Sequence, residues 1–305
     1  MTTRVFIDGA AGTTGLEIRE RLTGRAEFAL IELGEDRRKD DAARREALNT
    51  ADIAILCLPD DAARDAVALI GSAPTRVIDA SSAHRTAPGW TYGLPELGFD
   101  VAGAARVTNP GCWPTGFLLL VAPLVRAGLI PADWPLAYSG ASGYSGGGKA
   151  MIAEFEGGAA DTAYRAYGLS LQHKHLPEMR DHAGLAHPPI FLPAVAATYR
   201  GMLAEVGLPL HALPGRPGLA ALRETLAEAY AHAPLITIAV DEPALVRMEE
   251  NAGTDRVTLR VMGNPAAGQA RLIATFDNLG KGAAGAAVQS LNLMAGADPL
   301  AGLIL

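Results

Sequence analysis

The sequence is short of cysteine, of aromatic rings and of long apolar runs, and each shortage removes a class of protein. Cys57 and Cys112 are its only cysteines, which excludes the disulfide framework of small secreted domains. Aromatic residues make up 6% of the 305 residues, against 49% hydrophobic residues overall, so the interior is aliphatic and alanine-rich. The longest strongly apolar stretch, Phe117 to Val125, is interrupted by Pro123. It falls far short of the roughly 20 residues a membrane-spanning helix needs. An excess of positive charge is missing too: 26 Lys and Arg against 33 Asp and Glu leave a formal charge of −7. That balance argues against nucleic acid or an anionic membrane as partner. Residues Met1 to Gly9 lack the charged and then apolar pattern of an export signal. Together these gaps predict a globular protein of a reducing compartment, the cytoplasm.

Glycine is plentiful, at 34 residues, and it is gathered in discrete turns rather than spread as low complexity. The length allows one large or two medium domains. Over the first 110 residues short apolar runs alternate with helical patterns. Strands are predicted at 4–7, 28–33, 53–58 and 76–79, and helices at 14–22, 40–49 and 61–70. Such alternation predicts a parallel sheet with helices on both faces, and ligands of such sheets bind at the carboxyl ends of the strands. After Gly111 the pattern changes. A helix is predicted at 117–127, strands at 136–139, 190–196, 235–240 and 257–262, and helices near 219–231 and 282–294. The sparser helices and longer connections predict an α+β domain with a mixed sheet. The fold class is therefore α/β, with a Rossmann-like N-terminal parallel sheet and a boundary near Gly111.

The first predicted strand runs straight into Gly9-Ala10-Ala11-Gly12-Thr13-Thr14-Gly15 and then a helix. Glycines let backbone N–H groups approach a pyrophosphate, and a helix N-terminus favours its charge. The spacing is G-x-x-G-x-x-G, so a plain strand-to-helix turn is the competing reading. After the second strand an NAD binder carries an acidic residue for the ribose 2′-hydroxyl. Glu35 and Asp36 are there, but Arg37-Arg38-Lys39 follow at once, and three cations suit a 2′-phosphate. NADP(H) is the expected cofactor, with Arg37 and Arg38 its expected 2′-phosphate contacts and a solvated helix start as the alternative.

Asn109-Pro110-Gly111-Cys112-Trp113-Pro114-Thr115-Gly116 leads into the predicted helix at 117–127. Pro110 and Gly111 make a turn, which puts Cys112 at or just before a helix start. There the dipole and open N–H groups stabilise a thiolate and can hold an oxyanion on an attached acyl carbon. Cys57, inside the apolar run Ile55-Leu56-Cys57-Leu58, instead reads as a small buried hydrophobe. A thiolate beside a nicotinamide site has a natural use. Attack on an acyl phosphate gives a thioester, and hydride transfer then gives an aldehyde.

A base is needed. The segment His173-Lys174-His175-Leu176-Pro177-Glu178 offers His175 just before a helix that Pro177 can begin, with His173 on the same face if the chain is extended. Two surface histidines are the plain alternative. A zinc site from His173, His175 and His182 lacks a cysteine or spaced carboxylate to complete it, so no metal is expected. Asp79-Ala80-Ser81-Ser82-Ala83-His84-Arg85 follows a strand, where Ser82 and Arg85 can bind phosphate or carboxylate. The Gly/Ser loop Ser139 to Lys149 brings Ser142 and Lys149 as further candidates for the substrate, as does Asn109.

In this combination the chain resembles the N-acetyl-γ-glutamyl-phosphate reductases of arginine biosynthesis, in their shorter (type 2) form. The resemblance rests on Gly9–Gly15, Asp79–Arg85, Tyr92–Leu97, Asn109–Cys112, Ser139–Lys149, His173–Glu178 and Asp277–Gly285, in family order along the chain. It implies NADPH-dependent reduction of N-acetyl-γ-glutamyl phosphate to the semialdehyde with release of phosphate. It implies Cys112 as nucleophile and His175, with His173 beside it, as acid/base. It places Asn278 near the nicotinamide and gives Arg200 a substrate carboxylate. It returns the last helix to the N-terminal domain, so that residues 1–111 and 283–305 form the NADP-binding domain and 112–282 an inserted catalytic and dimerisation domain. It also implies a homo-oligomer, a dimer or tetramer. Reductases of other acyl phosphates, aspartyl or carrier-linked aminoadipyl, share the reacting group. A cysteine hydrolase or a non-catalytic nucleotide-binding regulator are the readings from other classes.

Overall fold

In the computed structural model, which describes residues 2–305, the chain separates into two units. Residues up to Gly111 join Ala283–Leu303, and Cys112–Gly282 join Ile304–Leu305.

The first unit holds β1 (Thr3–Asp8), α1 (Thr13–Leu22), β2 (Phe28–Ile31), α2 (Asp41–Thr50), β3 (Ile53–Leu56), α3 (Asp60–Ile70), β4 (Arg76–Asp79), β5 (Thr91–Tyr92) and β6 (Arg106–Thr108). Its six strands run in the order β2-β1-β3-β4-β6-β5, and every neighbouring pair is parallel. The alternation along β1 explains the layering. Val5 and Ile7 pack in one cluster with Ile18 and Leu22 of α1 and with Val288 and Leu291. Phe6 packs in the other cluster with Leu48 of α2 and Ala66 and Ile70 of α3. All four residues of β3 are buried, as expected for a strand covered on both faces. Each fully buried Ile, Leu or Val contributes about 1.5–3 kcal/mol. The strand order reverses at β1 and β3, which opens a crevice at their carboxyl ends.

The second unit holds α4 (Cys112–Arg126), β7 (Ala137–Gly143), α5 (Gly148–Glu156), β8 (Tyr164–Ala166), α6 (Leu176–Ala183), β9 (Ile190–Ala196), β10 (Met202–Pro209), α7 (Leu219–Ala229), β11 (Ile236–Ala239), β12 (Val257–Asn264) and β13 (Gln269–Phe276). Its seven-stranded mixed sheet has the order β11-β12-β13-β10-β7-β9-β8. Helix α4 packs on β10 and β13 and against α6 and α7. A wide π-type turn at Gly280–Ala284 leads into α8 (Gly285–Ala295), which packs on α1 and β4 within the first unit.

Three expectations need correction. Helix α4 begins at Cys112, not at residue 117, because Pro114 falls in the first turn, where no intrahelical donor is needed. Pro123 deeper in α4 leaves the Leu119 carbonyl without its helical donor, and the Tyr230 hydroxyl donates to that oxygen at 2.7 Å. The segment from Ser139, read as a loop, is the end of strand β7 as far as Gly143 and then runs into α5. The central strands β10 and β13 were not foreseen. Yet β10 alternates in strict period 2, with Met202, Ala204, Val206 and Leu208 buried. Among the described residues no helix is long and apolar enough to cross a membrane.

Candidate active site

In the first unit the turn after β1 is shaped by glycine. Gly9 has φ +87°, and a Cβ there would run into the Cys57 carbonyl at the end of β3. A Cβ on Gly15 would lie 2.6 Å from the Gly9 oxygen. The turn closes with Gly12 N–H donating to the Gly9 carbonyl at 2.9 Å. Gly12 caps α1 without a side-chain bond, and the first turn, with Thr13 and Thr14, carries no acid. Those N–H groups are therefore open to an anion. Beside this turn lies a cavity of about 880 Å³ whose walls include Gly9, Leu30, Gly34, Arg38, Lys39 and Arg44. The glycine cradle, the open helix start and the cationic wall fit a dinucleotide phosphate.

Of the two arginines expected from sequence, one lines this cavity. Arg38 lines the cavity, but Arg37 is absent from its walls and pairs with Glu46 at 3.6 Å. Arg19 and Arg44 line it unforeseen. Arg44 is fixed by the buried Asp8 carboxylate, 2.9 Å from its Nη2. Nothing in local sequence signals this, because α2 brings Arg44 to β1 from 36 positions away.

The Asp79–Arg85 segment is braced around a buried carboxylate. Asp79 accepts from the Ser81 hydroxyl at 2.8 Å and contacts His84 Nδ1 at 2.6 Å, while His84 stacks on Trp90 with ring centroids 4.1 Å apart. Ser82 donates its hydroxyl proton to Asp60 at 2.6 Å, so that proton is already spent on the fold. Arg85 is buried and donates through Nε to the Asn109 carbonyl at 3.2 Å. The Asn109 amide donates to the Ala283 carbonyl at 2.9 Å, where the chain returns to this unit.

In the second unit Cys112 is the half-buried first residue of α4. The turn that follows β13 approaches it closely: a Cβ on Gly282 would lie 3.0 Å from the Cys112 Cβ. Two phenols sense the sulfur. Burial raises both Tyr138 and Tyr167, and the negative charge of Cys112 raises them further. The Tyr138 hydroxyl donates to the Trp113 carbonyl at 2.7 Å, and Trp113 Nε1 donates to the Tyr167 hydroxyl at 2.7 Å. The Tyr167 ring lies 6.1 Å from that of His173, and the His173 ring lies 4.6 Å from that of His175. His175 is buried at the start of α6, and its backbone N–H donates to His173 Nδ1 at 3.2 Å. That nitrogen accepts, so neutral His173 carries its proton on Nε2. Cys57, by contrast, stays a thiol: burial, then the Asp79 and Asp8 charges, push it up to about 12. No disulfide joins Cys57 and Cys112.

The remaining expected residues form a separate group within the second unit. Asn278 accepts from Gly201 N–H at 3.0 Å and donates to the Ser145 hydroxyl at 2.8 Å. Ser142 is buried and donates to the Gly143 carbonyl at 3.2 Å. Arg200 Nε lies 2.6 Å from the fully buried Asp277 carboxylate, which also accepts from Leu279 N–H at 2.7 Å and Gly280 N–H at 3.0 Å. Arg200 thus braces the turn that reaches Cys112. Lys149 is exposed on the first turn of α5. Trp113, Tyr167 and Gly282 were missed. Trp113 is signalled only by standing next to Cys112, and Tyr167 comes from 54 positions away.

Two family models match the chain: semialdehyde dehydrogenase, NAD binding domain, over residues 4–105, and semialdehyde dehydrogenase, dimerisation domain, over residues 112–278. Similar curated proteins include N-acetyl-gamma-glutamyl-phosphate reductase 2 of Pseudomonas putida, 50% identical over 96% of this chain and 97% of its own. Another is N-acetyl-gamma-glutamyl-phosphate reductase 2 of a Nostoc species, 44% identical over 98% of this chain and 99% of its own. Among solved structures, aspartate semialdehyde dehydrogenase II from Vibrio cholerae matches with a TM-score of 0.73 at 19% identity, covering 96% of this chain and 98% of that one. An aspartate semialdehyde dehydrogenase with NADP from Candida albicans matches with a TM-score of 0.65 at 14% identity, covering 96% and 98%. At such identities the solved structures speak for the fold alone.

Proposed function

The chain belongs to the N-acetyl-γ-glutamyl-phosphate reductase family, and on that premise we propose that it reduces N-acetyl-γ-glutamyl phosphate to the semialdehyde, releasing phosphate, in arginine biosynthesis. The observation that carries this reading is Cys112 at the start of α4, grouped through Trp113 and Tyr167 with the two histidines of the α6 segment.

The N-terminus of α4 favours the Cys112 thiolate. Its sulfur attacks the acyl carbon, phosphate departs, and a thioester forms on Cys112. N–H groups of the first turn of α4 hold the oxyanion that develops on the way. His175, with His173 holding its backbone, takes the thiol proton, gives it to the oxygen of the thiohemiacetal formed on reduction, and takes it back as the aldehyde C=O forms. Bound NADPH supplies the hydride that reduces the acyl group. Cys112 leaves as a thiolate when the aldehyde is released. In the first unit Gly9, Gly12, Thr13, Thr14 and Gly15 receive the pyrophosphate, and Arg38 and Lys39 the 2′-phosphate. Arg85 and Lys149 are the cations assigned to the substrate's anionic groups.

We further propose that the chain works as a homo-oligomer through the second unit. On β9, Ile190 and Leu192 are 52% and 49% exposed, while the alternate Phe191 is buried. An apolar sheet face of this kind fits a second copy of the dimerisation domain. A cytoplasmic location agrees with the reaction's soluble substrates.

The test is phosphate-dependent reduction of NADP⁺ with N-acetylglutamate semialdehyde, run beside aspartate semialdehyde. A clear preference for the acetylated substrate is expected, with loss of turnover in Cys112→Ser. Preference for aspartate semialdehyde, or undiminished turnover in Cys112→Ser, overturns the reading.

A further inference from the structure

We propose that the Tyr167 hydroxyl is a positioning group. Gripped by the Trp113 indole, it holds the segment carrying His173 and His175 against the helix that carries Cys112. The inference rests on the reading of Cys112 and the histidines given above.

Trp113 follows Cys112 directly and is 2% exposed. Its indole N–H is its only side-chain polar group, and a buried donor is costly unless it finds an acceptor. That acceptor is the Tyr167 hydroxyl at 2.7 Å. The indole itself is fixed by edge contacts to Tyr138 and Phe191, with ring centroids at 5.9 and 5.2 Å. The anchor therefore belongs to the packed interior of the second unit.

The chain after Tyr167 has little apolar anchoring of its own. Leu169 and Leu171 are 80% and 49% exposed. Leu171 also sits at φ +56°, a left-handed backbone that a leucine rarely adopts. Such a segment is held chiefly by its ends. At one end Tyr167 N–H donates to the Pro193 carbonyl at 3.1 Å, beside β9. At the other, Leu176 N–H donates to the His173 carbonyl at 3.0 Å, where α6 begins. The Tyr167 side chain adds a third hold, its ring against His173 and its hydroxyl on Trp113.

Tyr138 serves as the contrast. Its phenol also sits near the sulfur, but its proton goes to the Trp113 carbonyl, on the same helix as the cysteine. Tyr167 accepts from Trp113, so its own O–H still has a proton to donate. Burial, and secondly the charge of Cys112, keep that phenol protonated at ordinary pH.

The decisive variant is Tyr167→Phe, which keeps the ring and removes the hydroxyl. The expected result is a kcat lowered by about 10-fold, as the loss of one ordering hydrogen bond at a catalytic pair implies. The KM for NADPH stays unchanged. The pH midpoint for alkylation of Cys112 by iodoacetamide rises, a readout that a purely structural role would leave still. Trp113→Phe should give the same phenotype, and the double variant should be no worse than either single, because both break one bond. Unchanged kcat and alkylation midpoint in Tyr167→Phe, with Cys112→Ser inert, overturn this inference alone. Losses that multiply in the double variant also overturn it. An active Cys112→Ser overturns the functional reading, and this inference with it.

Discussion

Replacing Gly282 by alanine tests the packing around the nucleophile. The added methyl would lie 3.0 Å from the Cys112 Cβ and 3.0 Å from the Asp277 carbonyl oxygen. Carbon atoms in ordinary contact sit about 3.5–4.0 Å apart, so one side must yield by about 0.5 Å. The turn is the stiffer side, because Asp277 binds Leu279 and Gly280 N–H and the Arg200 guanidinium. Cys112 therefore moves. A misplacement of about 1 Å at a reacting centre costs about 10²-fold in rate, so half that displacement predicts about 10-fold in kcat. Overpacking costs about 1–3 kcal/mol. Loss of glycine's freedom in the unfolded chain offsets about 0.4–1 kcal/mol, leaving a net destabilisation of about 1 kcal/mol. Single-turnover reduction isolates the chemical step, and thermal unfolding reports the stability. Gly207→Ala on β10 is the control, since a Cβ there meets nothing within 4 Å; its kcat should match the parent. A Gly282→Ala enzyme with parental single-turnover rate would refute the argument.

His175→Asn should lower kcat by about 10²–10⁴-fold with unchanged NADPH binding; if His173→Asn shows the loss instead, the base is misassigned. Arg38→Ala should weaken NADPH binding, measured by fluorescence titration, while Arg37→Ala, whose side chain pairs with Glu46, should not; the reverse order would place the 2′-phosphate elsewhere. At pH 8 a thiol with a pKa of about 12 is ionised in about one molecule in 10⁴, so iodoacetamide should label Cys112 and spare Cys57, and mass spectrometry showing equal labelling would contradict it. Because the folded value of Cys57 lies above its ordinary 9.0, the stability it gives is present below pH 9 and lost as the pH rises from 9 toward 12. Cys57→Ala should flatten the Tm profile in that range, and an unchanged slope would refute this.

Sequence patterns served best where the structure is local and repetitive. The apolar runs of the first unit became β1 to β4 within a residue or two at most ends, because a strand covered on both faces must be continuously apolar. The Gly9 turn was legible because only glycine tolerates φ +87° against the Cys57 carbonyl. The mixed sheet was less so. β13 and β10 combine small, charged and apolar residues, and their place at the centre comes from pairing with strands far along the chain.

By itself the sequence determined the α/β class, the glycine turn after the first strand, a cysteine at a helix start and the two histidines of the α6 segment. Those features depend on neighbours a few residues away, through φ preferences, helix ends and periodicity. Only the tertiary structure decided which cations line the cavity beside the glycine turn, that Arg200 braces Asp277, and that Trp113 and Tyr167 tie the helix of Cys112 to the segment of the histidines. Each of these is a contact between residues brought together from distant parts of the chain, set by how helices and strands pack, and no local pattern encodes it.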